Sequence, residues 1–218
     1  MKPYQKASKI LVRLKKNANR QFRKLSVLPI DCLNILNAKK YTQQAYKRMD
    51  AENRDAYLKI AQESYEDAGK LALLMGYQKK KSKQIDKKWV LAFLLTLHPI
   101  TKYLYSDEAE RKRLRLAEAL ASDRETGSRS AMRKDIKTSA SLWWKQTEQF
   151  AIDIEDEAVM SAFLDYGVEK VKWITRPDDK ACKTCRERNG MIYKISQVPD
   201  KPHYNCRCYL EPVSSEKM

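Results

Sequence analysis

The chain has 218 residues, 43% of them apolar, with only 5 glycines and 7 prolines. That length allows one domain or two small ones, the apolar share excludes wholesale disorder, and so few turn formers argue against a many-stranded sandwich. The net charge is +16 and unevenly placed: residues 1–100 carry 22 Lys/Arg against 8 Asp/Glu, and residues 101–218 carry 22 against 20.

The N-terminal stretch 1–38 holds no acidic residue before Asp31 and reads as a basic arm. Such asymmetry is the footprint of a polyanion, with nucleic acid ahead of an anionic membrane or an acidic protein surface. Lys9, Arg13, Lys15, Lys16, Arg20, Arg23 and Lys24 are the candidate nucleic-acid contacts. Ile10, Leu11, Leu14 and Leu25 stand among them at a spacing that is only loosely helical, so a solvated terminus is the alternative. No apolar core of a secretory signal is present, and lysine richness speaks against an organelle presequence. The segment 28–36 reads as a turn into a short apolar run, with Cys32 as a small buried side chain.

Residues 39–167 read as a helical domain. Tyr57, Ile60, Ala61, Tyr65, Ala68, Ala72 and Met75 recur every three or four residues, which predicts a helix over 41–75 closed by Gly76. The tyrosines belong to its core face. The run 79–83 (KKKSK) is a polar connector. Trp89–Leu97 predicts a mostly buried helix stopped by His98-Pro99; at about half the roughly 20 residues needed, it does not span a membrane. A helix over 107–123 follows, with Leu114, Ala117, Leu120 and Ala121 as its stripe, then a break at 122–130. Two more helices are expected at 131–150 and 155–166, closed by Gly167.

The texture changes at 168. VEKVKWIT (168–175) alternates like a strand, 176–190 is a turn-rich loop, MIYKI (191–195) is a second strand and CRCYLEPV (206–213) a third. The predicted class is α+β: a mainly helical N-terminal two-thirds followed by a small β-rich Cys/His subdomain over 168–218.

Four of the five cysteines lie between 182 and 208. Cys182-x2-Cys185 sets two thiolates on one tight knuckle, and His203-x2-Cys206 repeats the spacing downstream. Cys208 is a fifth candidate; on a strand it would share a face with Cys206. One structural zinc is the expected cofactor, held by Cys182, Cys185, His203 and Cys206, or with Cys208 in place of His203. Disulfides or reduced thiols packed as apolar side chains are the alternatives. Nothing points to catalysis. A deaminase needs His-x-Glu and Pro-Cys-x2-Cys, a redox Cys-x2-Cys opens a helix in a βαβ unit, and a phosphate-binding loop needs more glycine. His98 is isolated on an apolar segment.

Trp173-Ile-Thr-Arg-Pro-Asp178-Asp179-x2-Cys182-x2-Cys185-x4-Gly190-x2-Tyr193, followed by Pro202-His203-Tyr-Asn205-Cys206-Arg207-Cys208-x-Leu210-x-Pro212-Val213, resembles the C-terminal signature of the phage head morphogenesis family, minor head proteins of the Mu F type. Upstream, Gln146-Thr147-Glu148 and Ala158–Val168 extend the resemblance, which covers roughly residues 130–213. The family pattern has Pro where this chain has Tyr204 and a basic residue where it has Gln146. The resemblance implies a non-enzymatic virion protein, enclosed in the capsid or at the portal vertex after assembly in the host cytoplasm. Its implied partners are the portal, other head proteins and packaged double-stranded DNA, with no small-molecule substrate. It implies roles in head assembly and in DNA retention or ejection. A zinc-knuckle nucleic-acid-binding protein is the competing expectation.

Overall fold

The computed structural model describes residues 5–96, 107–176, 181–203 and 206–215. In chain order it contains α1 (Gln5–Ser26), a 3-10 turn (Ile30–Cys32), α2 (Ile35–Leu74), α3 (Lys87–Thr96), α4 (Asp107–Glu125), α5 (Arg129–Asp165), β1 (Lys170–Ile174), α6 (Lys183–Arg188), β2 (Ile192–Lys194), a second 3-10 turn (Ile195–Gln197) and β3 (Tyr209–Pro212). The protein is therefore mostly helical with one small antiparallel sheet near its C-terminus, the α+β class expected. The described residues form two compact units. One draws on Lys9–Ala56 and Leu91–Phe150, the other on Tyr57–Val90 and Ala151–Met218.

In the first unit, α1 is more regular than its sequence suggested. Leu14, Ala18, Phe22 and Leu25 are all buried, and they sit at i, i+4, i+8 and i+11. Ala18 and Phe22 complete the stripe that Leu14 and Leu25 alone left loose. The Phe22 ring meets Tyr46 edge-on at 6.0 Å, and Tyr46 lies 5.4 Å from Trp143. Helix α2 starts earlier than expected because Asn34 caps it, its Oδ1 accepting the Asn37 N–H at 2.9 Å. The preceding 3-10 turn points Ile30 and Leu33 inward and leaves Cys32 exposed. The buried Cys32 expected from sequence is thus corrected: the three-residue turn buries Ile30 and carries Asp31 and Cys32 outward. Helix α4 buries Ala117 and Leu120 of its expected stripe, joined by Leu116, while Leu114 and Ala121 are only partly buried.

In the second unit, Tyr57, Ile60, Ala61, Tyr65, Ala68 and Ala72 are buried along one face of α2, as their spacing predicted. Gly69 sits on that helix where a Cβ would come 2.9 Å from the Tyr166 ring, so only glycine admits the ring there. The 79–83 connector has exposed side chains but a tethered backbone. Lys80 and Lys81 donate their N–H groups to the Asp165 carbonyl at 2.8 and 3.0 Å. Lys83 N–H and the Tyr65 hydroxyl both donate to Asp165 Oδ2, at 2.9 and 2.5 Å. Burial, reinforced by that carboxylate, pushes the Tyr65 hydroxyl up to about 12.

Among the described side chains of α3, Val90 and Phe93 are buried while Leu91 and Ala92 are exposed; the side chains of 94–97 lie outside those described. His98 and Pro99 lie outside the described residues. The two helices expected at 131–150 and 155–166 are one, α5, because no glycine or proline interrupts Arg129–Asp165. The sheet has the order β2-β1-β3 with both pairings antiparallel. On β1, Val171 and Trp173 face inward while Lys170 and Lys172 face solvent. Tyr77 donates its hydroxyl to the Val213 carbonyl at 2.8 Å and Ser215 N–H donates to Met75 O at 3.1 Å, tying the end of β3 to the end of α2.

Candidate metal centre

The centre is built outward from β1. Trp173 is almost wholly buried, and its backbone pairs with the turn that follows α6: Trp173 N–H donates to Met191 O at 2.9 Å, and Gly190 N–H donates to Trp173 O at 2.8 Å. Gly190 has φ +82°, the left-handed conformation the bend requires. Two residues on, Thr175 N–H donates to Asn189 Oδ1 at 2.8 Å, and Thr175 Oγ1 donates to the Cys185 carbonyl at 2.5 Å. Trp173 on β1 and Thr175 just beyond it therefore hold the Cys185 side of the first knuckle and the turn that follows α6.

The knuckle is not simply the loop expected. It contains the one-and-a-half-turn helix α6, and Cys182 is its N-cap, the sulfur accepting the Cys185 N–H at 3.3 Å. Asp178 and Asp179, thought to lead into it, lie outside the described residues. The second knuckle also differs from expectation. Cys206 and Cys208 come before β3 rather than on it, so strand alternation does not set their directions. The Cys206 carbonyl accepts Lys201 Nζ at 3.1 Å, and Lys201 in turn pairs with Asp156 of α5. Asn205 lies outside the described residues.

These anchors bring all five candidates together. Cys182, Cys185 and His203 form one triad and Cys185, Cys206 and Cys208 another, with the ligand atoms of each triad within 4.8 Å of one another. Cys185 belongs to both. Its sulfur lies 3.5 Å from His203 Nε2 and 3.5 Å from Cys206 Sγ. A tetrahedral zinc site with Zn–S of about 2.3 Å and Zn–N of about 2.0–2.1 Å sets ligand atoms about 3.6–3.8 Å apart, so these separations fit one ion. They do not fit a disulfide, whose sulfurs lie about 2.05 Å apart; every cysteine is a free thiol. Cys208 also donates to Thr175 Oγ1 at 3.6 Å.

The electrostatics suit a centre that must be neutralised from within. Burial pushes the Cys185 and Cys206 thiols up, since an isolated buried thiolate has no water to solvate it. Cys182 is pulled down by the backbone N–H of Cys185. The indole Nε1 of Trp173 is buried with no hydrogen-bond acceptor, on the ring that packs against Cys185, Cys206 and Cys208. The Arg188 guanidinium lies 5.2 Å from the centre of that ring. The four sulfurs, three of them buried, and the exposed His203 imidazole form a soft donor set, and each triad could hold a metal ion.

Sequence reading located every ligand candidate but not the frame. Thr175 was visible only as part of a motif, and the alternation of β1 gave it an inward place without a partner. Lys201 carried no signal, because its role depends on Asp156, 45 positions away. The seven basic residues singled out in the N-terminal arm all lie exposed on α1, and Lys15 Nζ sits 5.0 Å over the Trp144 ring. Compared with protein-family models, curated proteins and solved structures, the chain matches none of them.

Proposed function

We propose that this chain is a non-enzymatic structural protein of a phage head, a minor head protein whose C-terminal subdomain is closed by one zinc ion. The observation that carries the reading is the convergence of the patterned residues. Trp173, Cys182, Cys185, Gly190, His203 and Cys206, spread over 34 positions, form one centre framed by β1. Cys182, Cys185, His203 and Cys206 would hold the ion, and Cys208 would keep its hydrogen bond to Thr175. The ion would supply a cross-link and folding energy, which a sheet of 5-, 3- and 4-residue strands obtains poorly from burial alone.

Several features favour a structural centre over a redox or regulatory one. The Cys-x2-Cys knuckle joins antiparallel strands, unlike the parallel βαβ setting of redox pairs. A zinc module that reads duplex sequence sets a helix in the groove. α6 has 6 residues, about 9 Å of helix, too short for that task.

In this reading the portal, other head proteins and packaged DNA are the partners, in head assembly and in holding or releasing DNA. The test is proteomic analysis of purified particles and procapsids made by the genome that encodes the chain. Few copies per particle, co-isolated with the portal, are expected. A chain abundant in infected cells but missing from both kinds of particle would contradict it.

A further inference from the structure

We propose that the solvent face of α1 is a binding surface for the phosphate backbone of double-stranded nucleic acid, engaged without regard to base sequence. This sharpens the DNA partnership proposed above, yet it stands on α1 alone. α1 contains no Asp or Glu. At 100° per residue, Lys9, Arg13, Lys16, Arg20, Arg23 and Lys24 fall within an arc of about 100°, and all six are exposed. No ion pair among the described residues involves any of them. The opposite arc carries Leu14, Ala18, Phe22 and Leu25, all buried. The cations thus form one row about 22 Å long from Lys9 to Lys24, held straight by a helix packed along its other side.

The composition of the face selects among polyanions. A membrane-surface helix must free its apolar side for the acyl chains, and here that side is already buried. Protein interfaces are centred on apolar and aromatic side chains; Val12 is the one large apolar residue this face exposes. Single strands are gripped by aromatic stacking, and the face carries no aromatic ring. A straight row of unpaired cations with little else suits a regular line of phosphates.

The test uses the full chain and fluorescence anisotropy with two labelled duplexes of unrelated sequence. Binding should be equal for both within about twofold. It should fall about a thousandfold between roughly 50 and 200 mM salt, as six neutralised phosphates require. A variant with Lys9, Arg13, Lys16, Arg20, Arg23 and Lys24 changed to Gln should lose about a hundredfold or more at low salt and show a flattened salt dependence. Its thermal unfolding and circular dichroism would verify that it is folded. A second variant carries Gln at the exposed Lys79, Lys80, Lys81, Lys83, Lys87 and Lys88, with the same loss of charge, and should bind like the parent. Equal binding by the α1 variant and the parent, or an equal loss in the control variant, would overturn the assignment. So would preference for a single strand, for phosphatidylserine vesicles or for purified portal protein over duplex. Particle proteomics and zinc content are independent of these outcomes, so the failure of one reading is distinguishable from the failure of the other.

Discussion

Cys185 is the residue on which the centre turns. It lies in both triads, its backbone N–H caps onto Cys182, and its carbonyl is held by Thr175. Cys185→Ser should therefore abolish zinc retention, as measured by elemental analysis of the purified protein. Cys32→Ser, at an exposed turn, should leave it unchanged, and so should Cys208→Ser if His203 is the fourth ligand. Zinc retention by Cys185→Ser would contradict the ligand set. Away from the centre, Tyr65→Phe removes the donor to Asp165 Oδ2 and should cost about 1–2 kcal/mol in urea unfolding. The pH dependence has a definite sign. The Tyr65 hydroxyl rises from 10.0 to about 12 on folding, so its contribution is complete below pH 10 and disappears as pH climbs toward 12. The parent should lose stability over that window by more than Tyr65→Phe does; parallel pH profiles would show that the hydroxyl contributes nothing.

The elements differ in how much of them could be read from residues alone. The buried face of α2 was legible because six apolar or tyrosine residues repeat at helical spacing with no competing signal. Strand β1 was legible from its alternation. α1 was harder, because lysine and arginine are as numerous as its apolar residues and its core face depends on Ala18, a residue that is neutral in most contexts. α6 was hidden by composition: KTCRER reads as a loop until Cys182 is seen accepting the N–H of Cys185. The sheet elements should also respond to metal as a group. Chelation should speed hydrogen exchange across β1, α6 and the 206–208 segment while leaving the 57–72 face of α2 protected. Uniform exchange over the chain would mean that the metal supports the whole fold.

For the whole molecule, charge and chemistry are segregated along the chain: the excess of cations lies in the first hundred residues and the sulfur centre in the last forty. The class of fold was legible from that change of texture at 168, where helical spacing gives way to alternation. The candidate ligands were legible from spacing. Their arrangement as two triads sharing Cys185 was not, because it arises from contacts with Trp173, Thr175 and Asn189 that no local spacing encodes. The most direct test of the closed metal centre is the zinc content of the reduced full-length protein, measured by native mass spectrometry beside elemental analysis. About one zinc per chain is expected. Folded protein with free thiols and no metal would contradict it.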